Sequence, residues 1–76
     1  MLTKIRDYAT DSLKEVKGVS VRVIQIENII YLDILLDTKP TLDEGTLIGQ
    51  TINSINAAIL EKGTYELKHK VFVKDS

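Results

Sequence analysis

Few groups in this chain could do chemistry, and their spacing limits what that chemistry could be. His69 is the one histidine, set between Lys68 and Lys70. An imidazole there could ligate a metal or accept a proton. With no cysteine in the chain, a metal would have to draw on carboxylates, and Asp33 and Asp37 are the candidates beside His69. The flanking lysines oppose a cation, so a structural or surface role is the simpler expectation for the histidine. Asp33 and Asp37 fall on what reads as one strand, where they would share a face but stand roughly 13 Å apart, too far for paired acid–base work. Asp43 and Glu44 are better read as acids at a helix start. Ser12, Ser20 and Ser54 have no base that the sequence places beside them. The glycines are isolated at helix ends or within a helix and form no phosphate-binding loop. No catalytic or cofactor-binding residue follows, and a non-enzymatic protein is expected.

Charge narrows the partners. Ten Lys and Arg stand against 11 acids, for a net charge of −1, whereas nucleic-acid binders usually carry a basic excess. Lys68, Lys70 and Lys74 alternate with Phe72, but neither the aromatic glycine-rich segment of an RNA-recognition strand nor a GXXG loop accompanies them. Nucleic acid is therefore not expected as a partner. No apolar run is long enough to span a bilayer, and charges interrupt the first ten residues where a signal peptide would be apolar. The reading is a cytoplasmic chain without membrane insertion. At 76 residues it makes one domain, small enough to gain stability by oligomerising.

Five elements must position these residues. Leu2, Ile5, Ala9, Leu13 and Val16 recur at helical spacing, and Gly18 follows where a left-handed residue would stop the helix. Ser20–Ile26 and Ile29–Leu36 are rich in Val and Ile, as strands are. Glu27-Asn28 is short and polar, and Asn28 tolerates the positive φ of a tight hairpin. In the second strand Ile30, Leu32, Ile34 and Leu36 share one face, and Tyr31, Asp33, Leu35 and Asp37 the other. The first strand shifts phase, with Val19, Val21 and Val23 alternating and then Ile24 and Ile26; a bulge or burial on both sides would explain it. Pro40 ends the extended segment, and Thr41-Leu42-Asp43-Glu44 reads as a capping box. A second helix follows, with a stripe of Ile48, Ile52, Ile55 and Ile59 and a stop at Gly63. Gly45 and Gly49 lie on one side of it, where a neighbouring backbone could approach closely. Tyr65–Val73 reads as the last strand, with Leu67, His69, Val71 and Val73 on one face and Lys68, Lys70 and Phe72 on the other.

The order helix–strand–strand–helix–strand predicts an α+β fold: a two-layer α/β sandwich with a ferredoxin-like split βαβ unit and a three-stranded sheet. Both helices would cover one face, with the last strand returning beside the first. The opposite face would carry Ile24, Tyr31, Leu35 and Phe72 among Arg22, Asp33, Lys68 and Lys70. That mixture is too apolar for a wet surface and too charged for a core, as subunit contacts often are. A homodimer through this face or an exposed sheet edge is expected, with Ile24, Tyr31, Leu35 and Phe72 at the interface.

Three stretches carry a resemblance over nearly the whole chain. They are Glu15-Val16-Lys17-Gly18-Val19, Tyr31-Leu32-Asp33-Ile34, and Pro40-Thr41-Leu42-Asp43-Glu44 with Ile48 and Ile52 after it. Together with the closing Val71-Phe72-Val73, they resemble the cytoplasmic C-terminal domain of cation diffusion facilitator transporters. The resemblance implies a dimeric cytosolic regulatory domain that stabilises a metal-exporting transporter, partners its membrane region and responds to a divalent metal ion. Histidines frequent in that family are replaced by Gly45 near the second helix start and by Phe72 in the last strand. Zinc-type ligands do not carry over to those positions. A second resemblance, in the Val-Gly-Val-like element Val16-Lys17-Gly18-Val19 after a helix and in the Val-rich last strand, is to the alkaline-shock, cell-envelope stress family. It implies a cell-envelope stress interaction protein beneath the membrane, without metal; a small structural or scaffold protein without metal is the other alternative.

Overall fold

The computed structural model describes residues 1–74. Its elements are α1 (Leu2–Ser12), β1 (Val19–Ile26), β2 (Ile29–Leu36), α2 (Leu42–Lys62) and β3 (Glu66–Val73), in the order the sequence predicts. The two glycine-bounded helix ends differ. At α2 the Thr41 Oγ1 accepts from the Glu44 amide at 3.1 Å, and Glu44 Oε1 accepts from the Thr41 amide at 2.9 Å. Two of the helix's orphan donors are thus satisfied reciprocally. Gly63 closes the helix at φ 72° and donates to the Leu60 carbonyl. By contrast α1 ends at Ser12, short of the apolar spacing that runs on to Val16. Leu13 and Val16 are buried from turns instead, so the apolar pattern tracks burial beyond the helix itself. Gly18, at φ 67°, turns the chain into β1.

The sheet has the order β1-β2-β3, with β1 and β2 antiparallel and β2 and β3 parallel. This corrects the expected strand order: β3 returns beside β2, not beside β1. The physical reason is visible in β2. Ile30, Leu32, Ile34 and Leu36 are all at most 1% exposed, and a strand so completely covered belongs in the middle of the sheet. With β2 central, both outer strands pair with it and both outer edges are open.

The hairpin register is unbroken from Ile26↔Ile29 to Val19↔Leu36, so β1 has no bulge. Val19, Val21 and Val23 face the helices beside β2's core residues, whereas Ile24 and Ile26 face away and are 41% and 57% exposed. The positive φ in the turn falls on Glu27 (56°), not on Asn28. A left-handed first turn residue alone is the sign pattern of a II′ turn.

One core cluster joins Ala9, Leu13 and Val16 to the β2 row and to Ile48, Ile52, Ile55 and Ile59 of α2. The helices therefore form a single layer on one face of the sheet. They run antiparallel: α1 leads to Val19, opposite Leu36, from which α2 departs to return at Glu66, opposite Ile29. At Gly45 and Gly49 an added Cβ would meet nothing within 4 Å, so the close approach expected there does not occur. Among the described residues, no helix is long and apolar enough to cross a membrane.

Candidate functional site

Alternation along three registered strands composes the face of the sheet that the helices leave bare. Its rows can be read straight across the ladder. Ile24 pairs with Tyr31 and Tyr31 with Lys68; Arg22 pairs with Asp33 and Asp33 with Lys70; Ser20 pairs with Leu35 and Leu35 with Phe72. An ionic row thus lies between two apolar ones. Leu35 and Phe72 are 40% and 43% exposed, and cross-strand neighbours of this kind form one continuous apolar step. Ile24, Tyr31, Leu35 and Phe72 all reach this face, as expected from sequence. Ile26, adjoining Ile24 at the hairpin end, extends the patch beyond the four residues expected to form it. Its alternation with Ile24 was the available signal.

Asp33 is the polar centre of the face. Its Oδ2 accepts from Arg22 Nη2 at 2.8 Å. The carboxylate is sheltered while the guanidinium is largely exposed, so the pair joins β1 to β2 and neutralises the middle of the patch. Its direct contribution to stability is about 0–1 kcal/mol after solvent screening.

The three metal candidates are not brought together. Asp33 lies on the helix-free face, held by Arg22, while His69 pairs with Leu32 and so occupies the opposite face of β3. Asp37 lies beyond the end of β2, its amide donating to the Gly18 carbonyl at 3.2 Å. Among the described residues no three of His, Asp or Glu gather where they could hold a metal ion. Faces of a strand alternate, and Leu32, not Asp33, stands across from His69, in keeping with the period of two that sets His69 on the face of Leu67 and Val71 and Asp33 on the other. Asp43 and Glu44 serve the start of α2. Ser54 lies on the exposed side of that helix.

The chain matches no family model, and no curated protein gives a significant match.

Proposed function

We propose that this chain is a non-enzymatic cytosolic self-association domain, joining two copies through the helix-free face of its sheet. One observation supports the reading above others: Ile24, Tyr31, Leu35 and Phe72 converge with Ile26 on a face whose central charge, Asp33, is already paired within its own chain. A pre-paired charge avoids the largest penalty of burying an ion at an interface. Lys68 and Lys70 on the outer strand can keep their ammonium groups in solvent at the rim.

Size sets the expected strength. Three strands of eight residues span roughly 26 Å by 14 Å, a footprint well below the ~800 Å² per partner of a standard interface. The dimer is therefore weak and concentration-dependent. Such an interface suits a regulatory module whose copies are held near one another by something larger. That is the setting implied by the resemblance to the cytosolic domain of cation efflux transporters. A divalent ion enters this reading only at acids contributed by two copies, because Asp33, Asp37 and His69 stand apart within one.

Sedimentation velocity from about 10 μM to 1 mM tests the proposal, the range in which a small interface associates. The chain is expected to pass from monomer to dimer, and Leu35→Glu with Phe72→Glu to remain monomeric with an unchanged circular dichroism spectrum. Leu42→Glu, at a site 88% exposed on α2, should leave association intact. A wild-type monomer at the highest concentration rejects the reading. Repeating the series with zinc or manganese distinguishes an ion-coupled dimer from one that needs no ion.

A further inference from the structure

A second apolar feature lies on the other layer of the molecule, between the two helices. Its floor is Ile5, Ile55 and Ile59, and it forms an open groove of about 540 Å³, a volume within the range of small-molecule sites. Two rims border it. Met1 at the helix start, Lys4 and Tyr8 form the α1 side; Ser54, Ala58 and Lys62, at successive turns, form the α2 side. Ser54 and Ala58 are too small to bridge to α1, so the slot between the helices stays open. From Ser54 to Lys62 it runs ~12 Å at 1.5 Å per residue.

Its charge is one-sided. No acid lines the groove, and neither Lys4 nor Lys62 takes part in an ion pair among the described residues. The helices are antiparallel, so the start of α1 and the end of α2 lie at the same end of the layer. Met1 and Lys62 therefore stand at one end of the slot with Lys4 a turn in, and Tyr8 and Ser54 stand at the other end, where no cation lies. An apolar trough with cations at one end is complementary to a chain with an anionic head.

We infer that the α1–α2 groove binds a medium-chain fatty carboxylate, its tail along Ile5, Ile55 and Ile59 and its head at Lys4 and Lys62. The ~12 Å floor matches an acyl tail of that length. The inference rests on a different layer from the proposed dimer face, and neither depends on the other.

Decanoate, kept below its micellar concentration, is the probe, followed by amide and methyl chemical-shift changes in the full chain. Saturable one-to-one shifts at Ile5, Ile55 and Ile59 are expected, without shifts at Leu35 or Phe72. Ala58→Phe, on an exposed position, should fill the slot and remove binding while the fold persists. Lys4→Gln with Lys62→Gln should weaken decanoate about tenfold and leave decanol unchanged, since only the acid has a charge to lose. Equal binding of decanol and decanoate, with no effect of the lysine changes, would overturn the assignment. So would absence of saturable shifts, or dilution-dependent shifts at the groove without any ligand, which would mark a second copy as its occupant.

Discussion

Gly18 and Gly45 are the same residue in opposite circumstances. At Gly18 the backbone is left-handed, and a Cβ would fall 2.5 Å from Asp37 Oδ2 and 2.7 Å from its Cβ. The Asp37 Cβ is fixed to the backbone and cannot swing away as a long side chain could. Gly18→Ala should therefore cost about 2 kcal/mol, from left-handed strain and the displaced aspartate. Urea unfolding would read it, and a change within error would contradict the turn geometry. Glu27 presents the inverse case, a side chain holding φ 56° where a II′ turn favours glycine. Glu27→Gly is expected to raise stability by up to about 1 kcal/mol, seen as a higher melting temperature; a fall would show that Glu27 makes contacts that outweigh its backbone cost. The sequence showed that a turn stood here but placed its left-handed residue at Asn28, because Asn is the better residue for that conformation. Ile26 pairs with Ile29 across a two-residue turn, and its first residue, Glu27, takes the positive φ.

Among the elements, α2 was the most legible. Pro40, the Thr41/Glu44 box, the isoleucine stripe and Gly63 are local signals, and all of them act over a few residues. Less legible was where α1 stops, since Leu13 and Val16 keep the helical spacing of their burial without the helix. The strand order was misplaced for a related reason. Alternation tells which residues share a face but not which strand lies beside which, and only the complete burial of Ile30, Leu32, Ile34 and Leu36 puts β2 in the centre. Within α2, Gly45 and Gly49 have open space where a Cβ would stand and no positive φ to justify them. Gly45→Ala and Gly49→Ala should each stabilise the fold by about 1 kcal/mol through helix propensity. Denaturation of both single variants and the double tests this. A loss in either would show that a partner approaches the bare helix side in solution.

At the scale of the whole molecule, the chain is a two-layer sandwich with its helices on one side and a half-apolar sheet face on the other. The interface candidates were legible because they need only the period of two along each strand: Ile24, Tyr31, Leu35 and Phe72 fall together whichever way the sheet is ordered. The same period already set His69 apart from Asp33, because His69 alternates with Lys68, Lys70 and Phe72, whose face Asp33 shares. Register sets those two side chains on opposite faces. The proposed function requires the bare face to meet a second copy of itself. Intermolecular contacts between isotope-labelled and unlabelled copies, measured by filtered NOE spectroscopy at high concentration, address this most directly. Contacts from Ile24, Tyr31, Leu35 and Phe72 of one copy to the same residues of the other are predicted. Contacts confined to the helices or to an outer strand edge, or none at all, would contradict it.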